Sequence, residues 1–288
     1  MKILVTGHKG FVGSYLTARL DKEKIEWVGF DLKDGLDIRN AYQVYEFFDM
    51  HRPDTVIHLA ALAGVRRGEE FPQEYFDTNV MGTWNIVRTA EKFEVQKFVN
   101  FSSSSVYGNK KPPVIEGESK EPKSIYGKTK LIAEQIVDRS SIFLPINIRP
   151  FTIYGLGGRK DMVIYRWLGQ IKRNEAISFY GDGESKRGYV HVEDLIDGVV
   201  LCLKSKNFTT KIGTGYSFNL GGQEVISLED LSEIFFEIIP DMKIFKLPMP
   251  PSDIYENWAD ITKAQEELGW QPKRKFKDEV KKIIKNEL

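Results

Sequence analysis

The chain has 288 residues, 41% hydrophobic and 28% charged, which suits one large α/β domain or one domain with a smaller appendage. Its 41 Lys and Arg offset 41 Asp and Glu, so no global field draws in nucleic acid or an anionic membrane. The single cysteine, Cys202, excludes an internal disulfide framework and argues against a cysteine zinc site, and four scattered histidines suggest no metal centre.

"MKILVTG" enters a strand pattern at once, with no basic-then-apolar leader, and no apolar run is long enough to span a bilayer. A cytoplasmic protein without a membrane or nucleic-acid partner is expected. The first half alternates predicted strands at 2–6, 26–31, 54–60, 97–102 and 144–150 with predicted helices at 12–21, 39–51, 73–93 and 125–139. Nearly continuous apolar strands imply a parallel sheet covered on both faces, and the alternation predicts a doubly wound α/β fold. After Pro150 the pattern loosens. Helices are predicted at 161–172, 193–203, 228–238, 262–268 and 276–286, with strands near 176–181 and 187–192 and a proline-rich break at 246–252. The expected organisation is a nucleotide-binding domain over 1–150 and a smaller α/β substrate lobe over 151–288. Some of the lobe's segments are expected to return to the first core.

"VTGHKGFVGSYL" sets Gly7, Gly10 and Gly13, with Phe11 and Val12 between the last two, at the join of the first strand and first helix. Glycines there allow a tight turn and close approach of backbone to a pyrophosphate, which the helix N-terminus then faces. Asp31 closes the second strand, where a carboxylate suits the adenosine ribose and would repel a 2′-phosphate. The cofactor expected is therefore NAD(H) and not NADP(H).

The glycine spacing is G-x-x-G-x-x-G. Together with "HLAALAGV", "SSSSVYG", "YGKTK" and "RPFTIYG", it resembles the extended short-chain dehydrogenase/reductase superfamily and its Rossmann fold, most closely the nucleotide-sugar epimerases and dehydratases. The resemblance runs from Met1 to about Trp270. It implies that Asp37 and Ile38 meet the adenine, that Leu59, Ala60 and Ala61 line the cofactor, and that Asn79 and Ser102 lie beside it. Pro150 would pack near the nicotinamide. Leu59 to Ala61 read equally well as a buried strand end. One departure is the short bridge "DLKDGLDIRN", where the superfamily usually inserts a helix and a strand. It is similar to the smaller 4-keto-sugar reductases, which stay open as an alternative.

Tyr126 and Lys130 fall one helical turn apart on one face. An ammonium and a positive nicotinamide beside a phenol stabilise the phenolate, so Tyr126 is expected to have a lowered pKa and to act as a base. The resemblance gives Ser103 the place of the superfamily's catalytic Ser or Thr. Ser104 and Ser105, facing the substrate, stand where dehydratases carry an Asp-Glu pair, and decarboxylases typically have a Glu at the position of Ser105. Without those acids, epimerisation remains. The implied cycle lends hydride from C4 of a sugar to bound NAD and takes it back on the other face.

For the substrate, the resemblance implies a UDP-sugar, with Arg187 on its phosphates, Tyr180 beside the uracil, Asp253 at the ribose and Arg66 as a looser phosphate contact. Thr152 and Arg159 are spaced as in the uronate 4-epimerases, where a cation would meet the C5 carboxylate. Arg159 reads equally as a phosphate or surface residue. Asn257 falls at the gate on sugar size, so an N-acetyl sugar is not excluded, and the second phosphate arginine of galactose epimerases is missing near Pro250. UDP-glucuronate/UDP-galacturonate is the first expectation, with UDP-glucose or UDP-N-acetylglucosamine next. A non-catalytic NAD-binding regulator is the alternative of another class. A homodimer through the 73–93 and 125–139 helices is the superfamily expectation.

Overall fold

The computed structural model describes residues 1–205, 208, 215–249 and 254–288. Strands β1 (Ile3–Thr6), β2 (Trp27–Phe30), β3 (Thr55–His58), β4 (Lys97–Phe101) and β5 (Leu144–Pro150) form a parallel sheet. β6 (Thr152–Tyr154), β7 (Ile177–Tyr180) and β8 (Lys186–His191) follow outside it, and β9 (Tyr216–Leu220) returns to pair with β5. The order β2-β1-β3-β4-β5-β9 makes a six-stranded, doubly wound sheet. Among the described residues, no further strand lies beyond β2, and Asp31 to Asp37 is crossed by a single 3₁₀ turn at Leu32–Asp34. The short bridge therefore removes one edge strand and leaves the rest of the winding intact.

Helices α1 (Phe11–Lys22), α2 (Ala41–His51), α3 (Val65–Glu70), α4 (Pro72–Tyr75), α5 (Thr83–Lys92) and α6 (Ile125–Asp138) belong to the first half. α7 (Val163–Lys172), α8 (Val192–Lys204), α9 (Leu228–Phe236), α10 (Thr262–Leu268) and α11 (Phe276–Glu287) belong to the second. The core strands β1, β3 and β5 are buried at every position, as apolar runs in a two-sided sheet require. One apolar cluster joins Val5, Ile57 and Ile148 to Leu195, Val199, Phe218 and Trp270, so α8, β9 and the 264–270 segment complete the first core. A second cluster, around Trp167, Phe179, Phe235 and Phe276, lies within the other half.

Two elements differ from the sequence expectation. The helix over 73–93 is one run broken by a seven-residue π-helical stretch, Phe76–Gly82. A π turn changes which residues share a face, and periodicity alone does not show it. The second half also carries a small sheet in which β8 pairs with β6, with β10 (Val225–Ser227) and with β12 (Glu256–Asn257), while β7 pairs with β11 (Ile244–Leu247). Strands of two or three residues give no period to read. Among the described residues, no helix is long and apolar enough to cross a membrane.

Candidate active site

The strand order reverses between β1 and β3, and the crevice opens at their carboxyl ends. Gly7 turns there with φ +73°, and a Cβ on it would stand 2.7 Å from the Ala60 nitrogen. A Cβ on Gly13 would meet the Gly7 carbonyl oxygen at 2.2 Å, so only glycine lets α1 begin this close to β1. No side chain caps α1 at Gly10, which leaves its first N–H groups for an anion. Gly7, Gly10, Phe11, Val12 and Gly13 line one end of a cavity of about 1090 Å³. Leu59, Ala61, Ser102 and Pro150 continue the wall. The Ser102 hydroxyl is buried there without a protein partner, which fits a polar ligand group. An uncapped helix start, a cradle that any Cβ would fill and an orphaned hydroxyl together fit a dinucleotide.

Five other residues expected at the cofactor have partners within the chain. The Asp31 carboxylate accepts the N–H groups of Lys9 and Lys33, each at 2.9 Å, and so braces the glycine loop. Asp37 is forked by Arg39, which holds its carboxyl below the usual range. The Ile38 side chain is core, packed where Gly82 has no Cβ, and Asn85 holds its carbonyl. Ala60 backs Gly7, and its N–H goes to Thr6. Asn79 is buried inside the π stretch, where it binds both the N–H and the carbonyl of Leu62 and donates to the Thr129 hydroxyl. Its placement ties the loop after β3 to α6 and does not present its side chain to the cavity.

At the middle of the cavity, Ser124 caps α6 by accepting the Gly127 N–H at 3.0 Å, so Tyr126 and Lys130 sit in the helix's first turns. Both line the cavity with Ser103, Ser104 and Ser105. The Ser103 hydroxyl hydrogen-bonds the Tyr126 phenol. The expected lowering of the Tyr126 pKa is not produced by the chain's own groups. Burial raises it, and the Ser103 bond and the Arg159 charge only partly oppose that. Burial likewise brings Lys130 down to about 8, with Glu134 holding it up. His58 lies between the hydroxyls of Thr6 and Thr83, at 2.7 and 3.0 Å, and burial lowers it to about 3, so it is a neutral link beneath the site.

The far end brings together Arg66, Thr152, Arg159, Tyr180, Arg187 and Asn257. Arg187 donates to the carbonyls of Lys186 and Ile254. Asn257 donates to the Ser104 hydroxyl at 3.2 Å. Arg159 gives Nε and Nη2 to Asp161, at 2.9 and 2.6 Å, leaving the Nη1 donors over. Asp253 and Pro250 lie outside the described residues.

Sequence reading missed Asp161, which follows Arg159 by two residues and could have been found from that spacing. It also missed Arg166, whose guanidinium lies 4.9 Å from the Tyr180 ring centre, as Arg66 does at 5.2 Å. Tyr75 was missed too. Its hydroxyl donates to the carbonyls of Ala63 and Gly64, and its ring meets Tyr126 edge-on at 6.3 Å. Nothing local marks Tyr75 or Arg166.

The chain matches the NAD dependent epimerase/dehydratase family over residues 3–221. A UDP-glucuronate 4-epimerase from Thermodesulfobacterium geofontis is 32% identical, over 98% of this chain and 94% of the relative. The structure of UDP-glucuronic acid 4-epimerase from Bacillus cereus, in complex with UDP-glucuronic acid and NAD, is similar at a TM-score of 0.88, with 30% identity over 99% of both chains. A UDP-glucose 4-epimerase from Thermotoga maritima, with UDP-glucose, has a TM-score of 0.89 at 26% identity, covering 99% of this chain and 98% of that one.

Two outcomes are expected. Gly13→Ala removes retained dinucleotide, measured by chromatography of the nucleotide released on denaturation, because its Cβ cannot fit beside Gly7. Lys130 has a folded midpoint of about 8 against 10.5 unfolded, so the unfolded chain binds more protons between these values and stability rises with pH across them. Lys130→Met is therefore more stable than wild type near neutral pH, by about 2–3 kcal/mol in urea unfolding, and the gain shrinks as pH climbs through that window.

Proposed function

This chain belongs to the NAD dependent epimerase/dehydratase family, and we propose that within it the protein is a UDP-sugar 4-epimerase whose preferred pair is UDP-glucuronate and UDP-galacturonate. The observation that carries the uronate reading is the position of Arg159, close enough to the Tyr126 phenol to favour its ionised form. A base for the C4 hydroxyl and a cation for a carboxylate on the adjacent C5 need that proximity. Asp161 fixes the guanidinium through one edge and leaves Nη1 for the substrate.

When bound, NAD supplies the redox chemistry, taking hydride from C4 and returning it to the opposite face of a 4-keto sugar with no net oxidation. The glycine loop and Ser102 hold it, with Lys130 at its ribose. Tyr126 Oη takes the proton of the C4 hydroxyl and later returns it, and Ser103 Oγ hydrogen-bonds that phenol throughout. Burial of Tyr126 keeps water from the proton path, and a positive charge arriving beside it offsets the burial that raises its pKa. Arg187 and Tyr180 hold the nucleotide end, with Arg66 and Arg166 against the tyrosine ring. A 4-keto uronate is a β-keto acid. Ser104 and Ser105 offer no carboxylic acid to speed its loss of carbon dioxide, and Arg159 with Thr152 holds the carboxylate in place. The 151–288 segment supplies most of these sugar and nucleotide contacts.

The reductase reading keeps one observation in its favour, the single-turn bridge after Asp31. The test is purified protein with UDP-glucuronate and no added NAD, analysed by chromatography and NMR. UDP-galacturonate is expected, with kcat down about 10²–10⁴-fold in Tyr126→Phe and Arg159→Leu raising KM for UDP-glucuronate far more than for UDP-glucose. No turnover after adding NAD removes the uronate, and UDP-glucose and UDP-N-acetylglucosamine follow. Consumption of reduced cofactor with a 4-keto sugar would favour the reductase. A Tyr126→Phe protein with intact biological function would favour the regulator.

We also propose a homodimer through α6 and the helical run 72–92, where Met81 and Trp84 are 52% and 46% exposed on a surface next to α6. Sedimentation velocity at micromolar concentration is expected to give twice the chain mass, and a monomer would remove this interface.

A further inference from the structure

One turn beyond Lys130, on the same face of α6, stands an ion pair that no proton transfer uses. Glu134 follows Lys130 by one turn, and both are buried, at 1% and 4% exposure. Arg149 on β5, also buried, forks the Glu134 carboxylate with Nε and Nη2 at 2.8 Å each. Its Nη1 donates to the Tyr107 hydroxyl, and that hydroxyl donates to Asn219 Oδ1 at 2.7 Å. The Asn219 amide donates to the Val114 carbonyl, and the Val114 N–H donates to the Trp258 carbonyl. Trp258 follows Asn257, whose amide reaches Ser104. The chain of contacts starts one turn beyond Lys130 and ends at Ser104, which lines the cavity with it.

A buried ion pair is weak evidence for stability, since a neutral pair of similar volume is often as stable. Its geometry here has another consequence. A carboxylate four residues after a lysine on one helix can bridge to it directly and would occupy the ammonium's donors. Arg149 takes both Glu134 oxygens, and among the described residues Lys130 has no direct carboxylate partner. Lys130 thus feels the negative charge without being held by it. The other groups facing this region are Tyr126 on the same helix, the neutral His58 from β3, Asp138 a further turn along, and Glu116 beside Arg149.

We propose that Glu134 and Arg149 are positioning residues for Lys130: Glu134 supplies the compensating charge, and Arg149 holds that carboxylate back so that the ammonium stays available to the cavity. The proposal rests on the reading that Lys130 works with Tyr126. The two partners therefore act on Lys130 in opposite directions. Without Glu134 the lysine loses the carboxylate charge that supports its ammonium. Without Arg149 the carboxylate is released to bridge to Lys130.

The test is a proton-uptake titration of Lys130 in the full chain, with and without NAD. Lysine carrying ¹³C at Cε is read by NMR, with the Lys130 signal assigned by its loss in Lys130→Arg. Glu134→Gln is expected to lower the Lys130 midpoint by about one pH unit and Arg149→Met to raise it by a similar amount. In both, kcat near pH 8 falls about tenfold while KM for the nucleotide sugar changes less than about threefold. The double variant Glu134→Gln/Arg149→Met removes the pair without leaving a lone buried charge, and it should fold where a single variant does not. Its midpoint should follow Glu134→Gln. Midpoints that stay at the wild-type value, or that move the same way in both single variants, overturn the proposal and leave the pair a packing element. If no UDP-sugar turns over in wild type, the epimerase reading fails, while the titration still decides this one.

Discussion

Everything in this molecule depends on how closely the ends of β1 and β3 approach one another. Gly7 leaves β1 where the Ala60 backbone passes after β3, with no room for a Cβ between them, and Gly13 lets α1 start against the same turn. The Thr6 hydroxyl, the neutral His58 ring and the Thr83 hydroxyl bind this junction from below. The approach sets the crevice, aims an uncapped helix start at it and fixes where the loop after β3 can run. That loop, clamped by Asn79 and Tyr75, then forms the wall opposite α6.

A second constraint is the dryness of the region around Tyr126 and Lys130. Burial works against both charged forms, so the phenol is held above its ordinary pKa and the lysine below its own. The chain alone is therefore poised as a protonated tyrosine beside a readily discharged lysine. Charge that arrives with ligands has a large effect in such a setting, because little water screens it. Catalytic readiness is then a property of the assembled complex, with the protein supplying position and low dielectric.

The other half supplies charge in place of a dry surface. Arg187 and Arg159 are each oriented by protein acceptors, the backbone carbonyls of Lys186, Ile254 and Tyr255 for the first and the Asp161 carboxylate for the second. Arg66 and Arg166 both lie against the Tyr180 ring. Orientation through backbone carbonyls depends on β12 lying alongside β8, where Asn257 is in register with Arg187. Arg187 and Asn257 are thereby set by the same two strands.

The sequence alone determined the winding of the sheet, the glycine loop, and the Ser103, Tyr126 and Lys130 constellation. Each is a local matter: apolar runs have a period, a tight turn needs glycine, and residues four apart on a helix share a face. It also marked the short bridge after Asp31, which the strand order then explained as a missing edge strand. Tertiary structure decided what local pattern cannot carry. Asn79, expected beside the cofactor, has its side chain hydrogen-bonded to Leu62 and Thr129. Ile38 and Ala60 became packing, and Asp37 was claimed by Arg39. Arg149 and Glu134, fifteen residues apart on different elements, meet one turn beyond the lysine because β5 packs against α6. Whether a polar side chain faces a ligand or braces the wall behind it depends on partners distant in the chain, and those exist only once the chain has folded.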